Sequence, residues 1–270
     1  MPVASCRRPP PRSSVGRAEG TVFDPRRETV RRVLCFGAHP DDLDFGASGS
    51  VAAWTTSGVE VHYCIMTDGD AGGFDPAHRA EIVSMRHAEQ RAAARSVGVH
   101  DVHFLGESDG FLEPSFAVQR KIVEITRKVR PDIVLAQHPE RDFTRLQRSH
   151  PDHLACGEAV TRAVYPAVEN PYAFPELQDA GLQAFKLRWL WLYGGPEARE
   201  NHVVDITDTF ETKLQALRAH LSQHPDVSKM ERFVRANGES LAERHGLEQG
   251  RIAEGFHVVE VNAADTIAGF

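Results

Sequence analysis

The chain has 270 residues and only four cysteines, no two of which form a CxxC pair. Cys35 and Cys64 lie inside apolar, strand-like runs. Buried free thiols in a reducing compartment are therefore expected, not a disulfide framework. No apolar run approaches the roughly 18 residues of a membrane span. The start, "MPVASCRRPPPRSSVGRAEG", lacks the apolar segment of a secretory signal. A cytoplasmic location is the expectation, with no membrane partner and with residues 1–30 as a flexible arm rich in Pro, Arg, Ser and Gly. Basic charge is scarce beyond that arm. Residues 1–32 hold eight Arg against three acidic residues, whereas the whole chain has 31 basic and 38 acidic residues. An acidic body argues against a nucleic acid partner, because phosphate binding needs a basic surface. Three signatures are missing as well. There is no GxGxxG after the first strand-like run, no GxSxG elbow and no HExxH helix. These absences disfavour a dinucleotide site, a serine hydrolase and a zincin.

Strands and helices alternate along the rest of the chain. "VLCFGA" (33–38), "VEVHYCIMT" (59–67), "DVHFLG" (101–106) and "PDIVLAQH" (131–138) read as strands. Helix patterns separate them at 47–58, 78–97 and 114–129, the last opening on a first-turn proline. Further strands are expected at 185–193, 202–207 and 255–261, and helices near 151–165, 208–224 and 226–246. This order predicts an α/β, Rossmann-like, mostly parallel sheet with helices on both faces. Residues 31–270 would form one domain, large enough to bury a sizeable core.

Ligands of such sheets bind beyond the carboxyl ends of the strands. Two clusters fall there. The first is "AHPDD", with His39, Asp41 and Asp42 straight after the first strand. The second is "SHPDH", with His150, Asp152 and His153 after the fourth strand, at the start of a helix. Adjacent carboxylates repel, so their placement after a buried strand calls for a compensating charge. Two imidazoles and one carboxylate form the usual ligand set of a hydrolytic metal ion, with a position left for water or substrate. Zn2+ suits such N and O donors, and Fe2+ or another divalent cation would also. Bound Zn2+ lowers the pKa of water from about 16 to roughly 7. One aspartate of the pair would ligate and the other would serve as base.

The two motifs, in this order and about 110 residues apart, resemble those of the LmbE-like, or PIG-L, family of metal-dependent deacetylases. "TDGDAGG", the helix with Arg86 and Glu89, "HFLGESDG" and "VDITDTFETKLQALRAHLSQ" are similar to that family in the same order. The resemblance covers about residues 31–260. It implies that His39, Asp42 and His153 ligate the metal and that Asp41 is the general base. It implies that His150 polarises the carbonyl or stabilises the oxyanion, and that Asp152 orients His150 or a ligand. Arg86 and Asp109 fall where family members contact the sugar or its acyl group. The implied function is zinc-dependent N-deacetylation of an N-acetyl amino sugar in a small glycoside or glycoconjugate. The alternatives are an amidase of a thiol conjugate, or a metal-bearing sugar-binding module without turnover. A homo-oligomer is compatible with the sequence. Departures from the family are "FGASGS", where a glycine pair is common, and Glu107-Ser108 before Asp109.

Structural readings weigh against several other residues. His220 and His224 are as compatible with a surface position as with the pocket. "TDGDAGGFD" (67–75) lacks the glutamate of a calcium loop and reads as a substrate-side loop. Trp189 and Trp191 share a strand face, for which core packing is the expectation and a sugar-stacking platform the alternative.

Overall fold

The computed structural model describes residues 29–73, 79–144, 146 and 149–262. Most of the expected N-terminal arm lies outside the described residues. Seven strands form the sheet: β1 (Arg32–Gly37), β2 (Glu60–Thr67), β3 (Asp101–Glu107), β4 (Ile133–Gln137), β5 (Trp189–Tyr193), β6 (His202–Asp205) and β7 (Ala253–Glu260). Their order is β3-β2-β1-β4-β5-β7-β6. The pairs from β3 through β5 are all parallel, whereas β7 runs antiparallel to both β5 and β6.

Side-chain alternation sends the central strands' residues to two separate cores. Leu34, Phe36, Cys64, Met66, Val134 and Ala136 pack against α4 (Phe116–Val129) and α5 (Pro151–Arg162). Val33, Cys35, Tyr63, Ile65, Ile133 and Leu135 pack on the opposite face against α2 (Ser48–Thr56) and α3 (Ile82–Ser96). Both faces are covered, which is why β1 and β4 read as continuous apolar runs and not as alternating ones. Helix α4 buries Val118, Ile122, Val123, Ile125 and Val129 at helical spacing. It starts where the Ser115 side chain accepts a hydrogen bond from the Val118 N–H at 3.2 Å.

Trp191 is buried, with ring centroids 5.3 Å from Trp54 and 5.1 Å from Phe256. Trp189 is buried as well. Core packing, not a sugar platform, accounts for this pair. Cys35, Cys64 and Cys156 are buried free thiols, and burial pushes the pKa of each upward. The thiolate is disfavoured there, so they are inert.

A third apolar cluster joins α7 (Phe210–Arg218) to α8 (Val227–Arg244) through Phe210, Leu214, Leu217, Met230 and Val234. The expected helix over 208–224 is shorter in the structure. Helix α7 ends at Arg218, and turns over 219–224 carry the chain back toward the sheet end. Two short helices, α1 (Asp42–Gly46) and α6 (Pro175–Asp179), were not legible in the sequence pattern. No helix among the described residues is long and apolar enough to cross a membrane.

Candidate active site

Strand β1 ends at Gly37, and the next residues are pinned to its neighbours. The Ala38 N–H donates to the Gln137 side chain at 2.9 Å, and the Thr67 N–H donates to the Ala38 carbonyl at 2.9 Å. His39 follows, buried to 8% exposure. Asp41 then takes a left-handed backbone conformation, φ 92°, and α1 begins at Asp42. A non-glycine residue there stores on the order of 1–3 kcal/mol of strain, which the surroundings must hold. The Asp41 N–H donates to the Gln90 side chain at 2.8 Å.

From β4, the chain reaches α5, whose first turn holds Pro151 and Asp152, with His150 as its N-cap. His150 Nδ1 accepts from the Asp152 N–H at 3.2 Å. That bond leaves Nε2 as the protonated nitrogen of a neutral His150 ring. Burial, and then the neighbouring His39 and His153, lower the His150 pKa. A neutral donor is thus the form at neutral pH.

The two clusters meet. Asp42 Oδ2 lies 3.3 Å from His39 Nδ1, and Asp42 Oδ1 lies 3.0 Å from His153 Nε2. The far nitrogen of His39, Nε2, lies 3.1 Å from both Asp109 Oδ1 and Asp152 Oδ2. Asp152 is itself fixed by the Gly110 N–H at 2.6 Å and the Leu112 N–H at 3.2 Å. Ligand atoms of His39, His150 and His153 also lie within 4.8 Å of one another, as do those of His39, Asp109 and Asp152.

The electrostatics favour positive charge here. Burial opposes protonation of His39, yet its bonds to Asp109, Asp152 and Asp42 outweigh burial and raise its pKa to about 12. Burial likewise opposes ionisation of Asp42, but His153 and His39 hold its carboxyl well below the usual range. Asp42 in turn raises the pKa of His153 against the effect of burial. Carboxylates that force protons onto buried imidazoles form a site that a divalent cation would satisfy, by displacing those protons. A ligating histidine typically has its other nitrogen held by a carboxylate. His39 meets that condition through Nε2, so nitrogen and carboxylate donors of the kind a divalent cation takes converge here.

Arg86 reaches the site from α3 but is engaged by the protein. Its guanidinium donates to the Gly69 carbonyl at 3.0 Å, the Pro40 carbonyl at 2.8 Å and Asp109 Oδ2 at 3.4 Å. Asp41 Oδ2 lies 3.9 Å away. Asp109 thus bridges Arg86 and His39, a link the sequence reading did not anticipate. Four other residues also went unassigned: Asp44, Gln90, His220 and His224. His220 Nε2 lies 2.9 Å from Asp44 Oδ2, both side chains fully buried, and His224 Nε2 lies 3.4 Å from Asp41 Oδ2. The third acid of "DDLD" and the i, i+4 pair in "HLSQH" were the available signals.

A cavity of about 450 Å3 opens from Asp42 and His153 toward Phe45, Phe210, Leu241 and Ile252. That volume lies in the ~300–1,000 Å3 range of small-molecule pockets.

Residues 34–164 match the family profile described as PIG-L, GlcNAc-PI de-N-acetylase. The chain is 34% identical over 238 residues to the diacetylchitobiose deacetylase of Thermococcus kodakarensis, covering 85% of this chain and 84% of that one. It is 33% identical over 201 residues to the probable N-acetyl-alpha-D-glucosaminyl L-malate deacetylase 2 of Bacillus cereus, covering 72% and 84%. Its fold superposes on the N,N'-diacetylchitobiose deacetylase of Pyrococcus horikoshii, solved with its inhibitor MPG. The TM-score is 0.78 at 34% identity, with 86% of this chain and 84% of that one covered.

Proposed function

The chain belongs to the PIG-L (LmbE-like) family of deacetylases, and from that premise we propose that it removes the N-acetyl group from a small N-acetylglucosamine-containing molecule with the help of Zn2+. The observation that carries the reading is the meeting of His39, Asp42 and His153 from two distant motifs, with Asp41 adjacent. When bound by those three residues, a divalent cation supplies Lewis acidity that polarises a carbonyl and makes water nucleophilic near neutral pH.

The chain's own groups do the rest. Asp41 accepts the proton of the attacking water, a role typically worth about 10²–10⁴ in rate. The water oxygen bonds to the acyl carbon, and the Nε2–H of His150 donates to the oxygen that becomes negative. Such a donor contributes about 3–4 kcal/mol in other amide hydrolases. The C–N bond then breaks, and the nitrogen leaves as an amine after taking the proton held by Asp41. Asp152 and Asp109 keep the His39 ring oriented. The cavity beside Asp42 and His153 has room for the group attached to the sugar.

The test is amine release from diacetylchitobiose, N-acetylglucosaminyl malate and an N-acyl thiol conjugate, with Zn2+ supplied and after chelation. Release from an N-acetylglucosamine compound, abolished by chelator and restored by Zn2+, supports the reading. Release from the thiol conjugate alone replaces it with the amidase. Binding of the sugars without release replaces it with the binding module.

A further inference from the structure

The segment over 219–224 brings two histidines to the carboxylate assigned as the base. His220 and His224 are four residues apart, and the His224 N–H donates to the His220 carbonyl at 3.1 Å, so both side chains project from one turn. The turn is tied down from α3. Ser222 donates to Glu89 through its N–H at 2.9 Å and its hydroxyl at 2.6 Å.

From this turn, two lines of contact run to Asp41. The first reaches its backbone. His220 Nε2 meets Asp44 Oδ2 at 2.9 Å, the Gln90 amide donates to that same oxygen at 2.9 Å, and Gln90 Oε1 accepts from the Asp41 N–H at 2.8 Å. This chain fixes a residue whose left-handed backbone is otherwise disfavoured. The second reaches its side chain. His224 Nε2 is buried, lacks an aligned hydrogen-bond partner, and faces Asp41 Oδ2 at 3.4 Å. The His224 ring is held edge-on against Phe45, centroids 4.9 Å apart. Buried ring nitrogens are rarely left without a partner unless the site has a use for them. Arg86 approaches the same oxygen, Oδ2, at 3.9 Å.

We propose that His224 is a positioning residue for Asp41: its Nε2–H engages Oδ2 and turns Oδ1 toward the water, while the His220–Asp44–Gln90 chain holds the backbone beneath. The inference rests on the reading of Asp41 as base. It gives the "HLSQH" turn a task that its packing alone does not require.

A double-mutant cycle on diacetylchitobiose, with Zn2+ supplied, tests it. His224→Phe keeps the contact with Phe45 but removes the donor. It lowers kcat about 10- to 100-fold, the usual scale for groups that orient a catalytic residue, and leaves KM within a factor of about two. His224→Gln, which retains an N–H donor, recovers most of that loss. In an Asp41→Asn background, His224→Phe costs nothing further. An equal loss in both backgrounds overturns the inference, because a structural or substrate-binding His224 would act without Asp41. Near-normal turnover of Asp41→Asn alone refutes the base and leaves the cycle with no coupling to find. A readout independent of turnover is the imidazole nitrogen resonance of His224. It shifts in Asp41→Asn if the two side chains are engaged, and an unmoved resonance overturns the pairing even in a protein that releases no amine from this sugar.

Discussion

Gly157 links packing in α5 to the geometry of the site. It lies four residues after His153, on the same face of the helix. A Cβ there would meet the carbonyl oxygen of Gln137, the Pro139 nitrogen at 2.8 Å and the His138 carbonyl carbon at 3.0 Å. All three are backbone atoms where the chain leaves β4, so no flexible side chain can yield. Two effects of Gly157→Ala compete. Helix propensity favours alanine by about 0.8–1.0 kcal/mol. Overpacking against backbone costs about 1–3 kcal/mol and sometimes more. Overpacking wins, because neither α5 nor β4 can relax without disturbing the Ala38–Gln137 bond below. With three backbone atoms in the way, overpacking falls in the upper part of its range and the net loss is about 1–2 kcal/mol, which at roughly 2–4 °C per kcal/mol lowers Tm by several degrees. The outward shift of α5, on the order of 1 Å, carries His150, Asp152 and His153 away from His39. A displacement of that size costs about 10²-fold in rate. The assay is thermal unfolding beside zinc titration and amine release. A Gly157→Ala protein with a higher Tm and intact zinc affinity would show that propensity alone governs this position and refute the reasoning.

Three further outcomes follow from the same geometry. Metal analysis of zinc-loaded protein should find about one ion per chain, with His153→Ala losing it; full metal content in that variant removes His153 from the ligand set. Asp152→Asn weakens the hold on His39 Nε2 and should lower zinc affinity about 10- to 100-fold by isothermal titration; an unchanged Kd would mean that Asp109 suffices. His138 gives a pH dependence away from the metal ligands. Burial, then the facing His257 at 3.0 Å, lowers its pKa from 6.5 to about 4. The unfolded chain therefore binds the extra proton first, and stability present above about pH 6.5 is lost as pH falls toward 4. The loss is about 3 kcal/mol at roughly 1.4 kcal/mol per unit. His138→Gln should flatten the fall in Tm across that window, and parallel curves would rule His138 out as its source.

Local chemistry decided which parts of this molecule were legible in its sequence. Strands β1 and β4 were readable because burial on both faces makes them almost wholly apolar, and His39, Asp41 and Asp42 stood out because charge abruptly followed such a strand. The antiparallel insertion of β7 between β5 and β6 left no local trace, since pairing such as Trp189 with Glu260 spans distant chain. The link from Asp109 to His39 depends on how the 106–112 loop folds, with Gly106 and Gly110 both at positive φ. His220 and His224, read as part of a long helix, were as compatible with the surface as with the pocket. Only the early end of α7 and its packing on α3 turn them inward.

The division of labour around the sheet end bears on what selects the substrate. The residues assigned to bond breaking sit on two short stretches: 39–42, held from α3 by Gln90 at the Asp41 N–H and by Arg86 at the Pro40 carbonyl, and 150–153, held by the Gly110 and Leu112 N–H groups on Asp152. Arg86, a candidate for gripping the sugar, spends its guanidinium on the Gly69 and Pro40 carbonyls and on Asp109. In this arrangement it fastens the 69–73 and 106–112 loops around the catalytic stretch, and a sugar hydroxyl would have to compete with Asp109 for it. On the proposed function, selectivity would draw on groups that are not so committed, and the 450 Å3 cavity beside Asp42 and His153 offers room for them. Beyond Asp42, Phe45, Gln137, His138 and His153, its walls come largely from α7, α8 and the start of β7, outside residues 34–164 that match the family profile. Relatives named for a chitobiose and for a malate conjugate would be able to differ in this later part of the chain without altering the residues assigned to hydrolysis. Exchanging α8 between relatives should therefore move KM among substrates while leaving zinc binding untouched.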